Sequence, residues 1–342
     1  MMRIGVISGF VLMALVAMIA SSSPDRPVVA DDTEVSVILG LLGEPPSPNR
    51  ADMSVTGASA KRGEELVKYG ITTRPDGGRT TKQSRHFVCT SCHNQVREDP
   101  DLTVADPQAR LDYARTNELS FLQGTTFYGT VNKKSWYNGD YYKKYGDLVE
   151  PARKSLREAI HLCAIECSQG RELEPWEMES VLAYFWTLGY RLKDLDLSDK
   201  EMATIQQALR GEGNNAEARE LIHSKYLDHS PATFIAPPDD RKAGAPGVIG
   251  DPENGKYIYE LSCLHCHEDE RYSFFALDNT RMTFRFLEKH LLAYDRYSIY
   301  QVVRWGTSPL TGKKAYMPQY TAEKMSVQQL EDLRAYILSQ AR

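Results

Sequence analysis

The 342-residue chain has a formal net charge of −5 and 42% hydrophobic residues, which suits about two globular domains and excludes a disordered or multi-span protein. With 41 Lys and Arg against 46 Asp and Glu, there is no overall basic field, so no nucleic-acid partner is expected. Taken in chain order, Met1-Met2-Arg3, an apolar run from Ile4 to Ala20 and then Ser21-Ser22-Ser23-Pro24 have the layout of a secretory signal. Residues 1–30 are therefore read as a signal peptide or N-terminal anchor and the mature chain as periplasmic. The apolar run is at the short limit for a membrane span, so membrane attachment is expected only if the segment stays uncleaved. No cysteine follows it to carry a lipid.

Residues 31–59, with Glu44-Pro45-Pro46-Ser47-Pro48, read as a flexible linker. A first domain is placed at 60–192. It opens on a helix containing Gly63-Glu64-Glu65-Leu66-Val67 and closes on the apolar run Val181-Leu182-Ala183-Tyr184-Phe185. Residues 193–250 read as an interdomain linker with helices over Ser198 to Arg210 and Asn215 to Tyr226, then the turns Pro237-Pro238-Asp239-Asp240 and Gly244-Ala245-Pro246-Gly247. A second domain at 251–342 opens on Gly255-Lys256-Tyr257-Ile258-Tyr259 and ends in a helix from Ser326 to Ala341. The predicted fold class is all-α, two modules of one internal repeat joined by a partly helical linker.

Cysteine spacing carries the chemistry. Cys89-Thr90-Ser91-Cys92-His93 and Cys263-Leu264-His265-Cys266-His267 are two C-x-x-C-H segments, 174 residues apart, the pattern of c-type haem attachment. Two thiols at that spacing can each form a thioether to one vinyl group of the macrocycle, while the adjacent histidine becomes the proximal ligand. The alternative is a zinc site made of two C-x-x-C pairs. With its flanking helices, each segment resembles the class I cytochrome c family, over about residues 60 to 190 and 250 to 342. The implied cofactors are two c-type haems with their iron, attached at Cys89, Cys92, Cys263 and Cys266 and ligated by His93 and His267. His265 reads as a solvent-facing spacer.

For the second haem, Met317 followed by Pro318 is the preferred sixth ligand, because proline keeps that residue in a loop. Met282 and Met325 are the competitors. A histidine and methionine pair raises the potential, as suits the site where electrons leave. For the first haem no methionine occurs between His93 and Met178, and Met178 reads as a core residue. Three candidates remain in Ala159 to Gly170: His161, Cys163 and Cys167. The two cysteines pair as a disulfide, or one of them ligates iron as thiolate, with His161 behind both readings.

The run Gly63 to Leu66, Phe87-Val88-Cys89-Thr90-Ser91-Cys92-His93, Ile160-x-x-Cys163 and Gly170 before Met178 resembles the N-terminal domain of diheme thiosulfate dehydrogenases. That resemblance implies Cys163 as ligand and catalytic residue of the first haem, where two thiosulfates are joined to tetrathionate. The family's arginine and serine three and four residues after the ligand are here Glu166 and Cys167, and an acidic group there repels an anion. The aromatic insert from Phe127 to Tyr142 is expected to cover the first haem, to form a docking surface, or simply to pack the haem's faces.

Seven basic residues between Lys61 and Arg85 against Glu64, Glu65 and Asp76 would steer an anionic substrate or an acidic redox partner towards the first haem. The expected function is an exported electron carrier passing single electrons to a redox protein or terminal acceptor. The alternatives are a sulfur-compound oxidoreductase acting at Cys163 and a diheme peroxidase.

Overall fold

Local chemistry sets many of the helix ends. Asp106 accepts from the backbone N–H groups of Gln108 and Ala109 ahead of Pro107–Thr116, with Pro107 in the first turn where no donor is needed. Ser198 and Glu201 cap Asp199–Arg210 reciprocally, and Ser326 with Gln329 does the same for Val327–Ala341. Gly70 takes a left-handed conformation to end Ala60–Tyr69. This computed structural model describes residues 29–274, 276–291, 297–307 and 317–342, so the expected signal or anchor lies almost wholly outside the described residues. Among those residues the chain is all-α: helices, and in place of strands only two isolated bridges, Glu34 to Arg191 and Thr73 to Arg79.

Helix α1 is Val35–Leu41, α2 is Ala60–Tyr69, α3 is Pro107–Thr116, α4 is Leu156–Leu162 and α5 is Pro175–Thr187. Asp199–Arg210 is α6, Asn215–His223 α7, Pro252–Ile258 α8, Arg281–Leu291 α9, Ile299–Trp305 α10 and Val327–Ala341 α11. Shorter helical turns lie between several of these. Two crossings repeat one geometry. Where α2 meets α5, a Cβ on Gly63 would come within 1.9 Å of the Ser180 carbonyl oxygen; where α8 meets α11, a Cβ on Gly255 would come within 2.0 Å of the Asp332 carbonyl oxygen. Both helix pairs touch backbone to backbone at a glycine.

Three apolar cores result. One gathers Leu66, Val67, Leu156, Leu162, Val181, Leu182 and Phe185 around the first crossing. Another gathers Ile258, Tyr259, Leu264, Phe284, Leu330, Leu333 and Ile337 around the second. It also takes in Leu111 and Phe121, so α3 and the strand of chain after it pack with the C-terminal part, although the sequence division at 60–192 assigns them to the first domain.

The third core corrects the expected flexible linker at 31–59. Val35, Ile38, Leu39 and Leu42 are buried against Leu192, Ile205, Ala208, Ala218 and Ile222. Positions 35, 38, 39 and 42 have helical spacing, a short signal overshadowed by the Pro- and Gly-containing run that follows. The two helices expected in the 193–250 linker form, α6 with Ser198 as its cap and α7 ending at His223 rather than Tyr226. They pack on α1, which makes this region a third structural unit.

Candidate functional site

The first C-x-x-C-H segment follows α2 and begins with a tight turn, Cys89–Ser91, in which the Cys92 and His93 N–H groups donate to the Cys89 carbonyl at 3.2 and 3.1 Å. A strap of chain at 121–127 runs beside it. Gly124 N–H donates to the Cys92 carbonyl and Phe127 N–H to the Asn94 carbonyl, both at 2.9 Å. Gly124 is required at that approach, since a Cβ would lie 2.6 Å from the His93 ring.

His93 Nδ1 lies 2.6 Å from the Thr125 carbonyl oxygen. A carbonyl only accepts, so Nδ1 carries the proton and Nε2 keeps its lone pair. Burial depresses the imidazole's proton affinity and holds the ring neutral. Its face stacks on Phe127 with centroids 4.6 Å apart, and Phe127 stacks on Phe185 of α5 at 4.3 Å. The ring is thus oriented by a hydrogen bond and backed by Phe127, which Phe185 supports from behind, as a metal-ligating histidine requires.

A buried ionic group supports that strap. Glu98 takes Arg110 Nε at 3.3 Å and Lys324 Nζ at 3.1 Å, and also accepts from Asn94 Nδ2 at 3.0 Å and Thr126 N–H at 3.2 Å. Asn94 follows His93 directly and Thr126 follows Thr125. Arg110 and Lys324 hold the Glu98 carboxyl down at about 2 against the opposing effect of burial. None of the three had a sequence signal, because charged residues without a motif read as solvated surface.

Cys89, Cys92 and His93 line a cavity of about 190 Å³ that is partly open to solvent. Leu66, Phe87, Phe127, Trp136, Val181 and Phe185 give it apolar walls, and among the lining residues there is no Lys, Arg, Asp or Glu. Burial pushes the Cys89 thiol up to about 11 and raises Cys92 further, with Cys266 of the second segment among the groups adding to the rise. The donor set, one oriented neutral imidazole and two neutral thiols against apolar walls, fits an iron porphyrin joined by thioethers.

Cys163 and Cys167 line the same cavity. The helix expected there forms as α4, but its last turn, Cys163–Cys167, widens to a π turn closed by Ser168 N–H on the Cys163 carbonyl at 2.8 Å, a feature frequent at functional sites. Both cysteines are free thiols. Cys163 donates to Cys167, which lowers Cys167 to about 6 and raises Cys163 well above its usual range. Tyr137 and Tyr145 each place a hydroxyl 3.4 Å from Cys167 Sγ. The aromatic insert therefore lies over this cavity, with Tyr141 as a further lining residue. His161 and Glu166 are not among the lining residues, and Met178 packs against the first core.

A π turn, Tyr259–Cys263, leads into the second C-x-x-C-H segment and is followed by the short helix Leu264–His267. His267 is buried and its carbonyl accepts Leu277 N–H at 3.0 Å. Burial raises Cys263 to about 12 and Cys266 to about 11. His265 departs from its expected place in solvent: its Nδ1 pairs with Ser120 Oγ at 2.9 Å and the ring faces the backbone of Ser91, inside the first segment. Close by, Phe121 N–H donates to the Leu261 carbonyl at 2.9 Å, and Tyr320 donates to the Phe121 carbonyl at 3.0 Å. The two cysteine segments are neighbours in space, a proximity no spacing in the sequence could reveal.

Met317, like Leu261 and Cys263, packs against the second core. Its N–H donates to Thr307 Oγ1 at 2.8 Å, and Thr307 N–H returns to the Met317 carbonyl at 2.9 Å. Gly306, at φ +70°, lets the chain pass where a Cβ would lie 2.3 Å from the Met317 carbonyl oxygen. Met282 is 80% exposed and Met325 is buried in the second core. The next residues, Pro318 and Gln319, line the first cavity. Lys144 Nζ reaches Gln319 Oε1 at 2.6 Å and the Trp305 carbonyl at 2.8 Å, so one short loop serves both sites. Residues 308–316 lie outside the described residues.

Among the described residues no three or more His, Cys, Asp or Glu side chains converge as a metal-holding group. Comparison of the chain with known protein families, curated proteins and solved structures finds no match.

Proposed function

We propose that the chain is an exported diheme c-type cytochrome, built as two cytochrome c-like domains, that passes single electrons between two covalently bound haems and a redox partner. The observation that carries this reading is the recurrence of C-x-x-C-H beside a glycine-pinned helix crossing, with His93 held as a neutral imidazole by Thr125 in a cavity that Cys89 and Cys92 share. Iron porphyrin bound at each segment would supply a one-electron couple. Cys89 and Cys92, and likewise Cys263 and Cys266, would hold it as thioethers, and His93 and His267 would ligate its iron. The stacked Phe127 and Phe185 keep the His93 ring from rotating, and the apolar walls exclude water and favour the less charged oxidation state.

Met317 is the sixth ligand proposed for the second haem and Cys163 for the first. The presence of both free thiols in the first cavity favours, as a second reading, a sulfur-compound oxidoreductase resembling thiosulfate dehydrogenase. The walls carry no Lys or Arg to compensate a dianion, which counts against thiosulfate itself. A peroxidase is not favoured by any feature of the site.

The test is an anaerobic potentiometric titration followed by visible absorption and low-temperature spin resonance. Two separate one-electron steps are expected, the lower with a thiolate signature and the higher with that of a histidine and methionine pair. A single step, or bis-histidine signatures at both irons, contradicts the assignment. Turnover of thiosulfate by wild type and not by Cys163→Gly would establish the second reading.

A further inference from the structure

Cys163 and Cys167 are the two cysteines that haem attachment leaves over, and both line the cavity. They stand four residues apart across the π turn that ends α4. A bridge between them would lie in a space partly open to solvent, and an accessible disulfide is a labile, catalytic one rather than a permanent structural one. The Tyr137 and Tyr145 hydroxyls at 3.4 Å can stabilise a thiolate on Cys167 and relay its proton.

We propose that Cys163 and Cys167 are a redox-active dithiol that closes to a disulfide in the first cavity and reopens by oxidising a small uncharged dithiol. This rests on the reading of two bound haems. In the closing step the two S–H bonds break and one S–S bond forms. Two protons leave to solvent, and two electrons pass one at a time to ferric haem, each iron being reduced from ferric to ferrous. In the reopening step a substrate thiolate attacks the disulfide, a mixed disulfide forms, and the second substrate thiol displaces Cys163 or Cys167, leaving oxidised cyclic disulfide and the dithiol restored. Two haems close together match a two-electron step with two one-electron acceptors. An uncharged substrate fits because no Lys, Arg, Asp or Glu lines the walls. While the dithiol is open, Cys163 ligates the first iron and gives the thiolate signature; closing the disulfide withdraws it, so that signature is lost once both electrons have left.

The experiment uses the full holoprotein, reduced under argon with a phosphine that is then removed. Half is oxidised with excess ferricyanide, and both halves are denatured in N-ethylmaleimide and mapped by peptide mass. The expected result is two labels on the peptide carrying Cys163 and Cys167 before oxidation, and none after it, with a mass 2 Da below the dithiol. Dithiothreitol should then reduce the haem absorption at least tenfold faster than thiosulfate in wild type, and this advantage should disappear in Cys167→Ser. Both thiols still labelled after full oxidation, or thiosulfate as the faster donor, overturns the proposal. The label pattern is read by mass whether or not porphyrin is attached, whereas thioether-modified peptides at Cys89, Cys92, Cys263 and Cys266 test the haem reading separately.

Discussion

Replacing Glu98 by Gln tests how the buried ionic group secures the first histidine. The carboxylate is 1% exposed as a residue and contacts Arg110, Lys324, Asn94 and Thr126. Its proton affinity falls from the ordinary 4.5 to about 2 in the folded chain; at about 1.4 kcal/mol for each tenfold change, that amounts to about 3 kcal/mol at neutral pH. The figure lies at the low end of the roughly 3–5 kcal/mol for breaking a buried ion pair, since Glu98→Gln leaves Arg110 charged and enclosed. Because the folded value lies below the unfolded one, the contribution is complete above about pH 4.5 and disappears as pH falls through about 2. Urea unfolding followed by circular dichroism at pH 7, 4 and 2.5 should therefore show a gap between wild type and Glu98→Gln of about 3 kcal/mol that closes on acidification. A gap under about 1 kcal/mol at pH 7, or one that does not change with pH, would refute the reasoning.

Further outcomes follow from the same structure. Gly63→Ala and Gly255→Ala should each destabilise the protein by about 1–3 kcal/mol despite alanine's better helix propensity, because each added Cβ meets a carbonyl oxygen at 1.9 or 2.0 Å. Thermal unfolding checks both, and a neutral or stabilised variant would remove the shared crossing. Met317→Ala should lower the higher of the two potentials by on the order of 0.1 V and leave the lower one in place, read by potentiometric titration. Among the basic residues near the first segment, Lys68 pairs with Glu64 and Arg74 with Asp76, whereas Lys61, Arg79, Lys82 and Arg85 are exposed. The double variant Lys82→Glu with Arg85→Glu should slow stopped-flow oxidation by ferricyanide several-fold at low salt, and the difference should vanish near 0.5 M salt.

The helical class and the repeated cysteine segments were legible because they rest on short-range patterns: C-x-x-C-H, capping residues such as Ser198 and Ser326, and apolar runs such as Val181 to Phe185. What was missed depends on contacts distant in the sequence. Helix α1 is too short for Val35, Ile38 and Leu39 to stand out beside Pro45 and Pro46, and residues distant in sequence, Leu192 and those of α6 and α7, complete its burial. Leu111 and Phe121 have nothing in their own sequence to assign them to the C-terminal core. His265 reads as a spacer until Ser91 and Ser120 come beside it from the other half of the chain. Gln319 gains a role only because its loop lies between both sites, held by Lys144 just after the aromatic insert.

The central claim is that iron porphyrin is carried at both cysteine segments through Cys89 and Cys92 and through Cys263 and Cys266. Intact mass spectrometry of protein exported by a host with c-type haem maturation, with the Cys89→Ser/Cys92→Ser and Cys263→Ser/Cys266→Ser variants alongside, tests it most directly. The account predicts the mass of two macrocycles on the wild type and of one on each variant. A wild-type mass equal to the bare polypeptide, from a host whose own cytochromes are fully loaded, would contradict it.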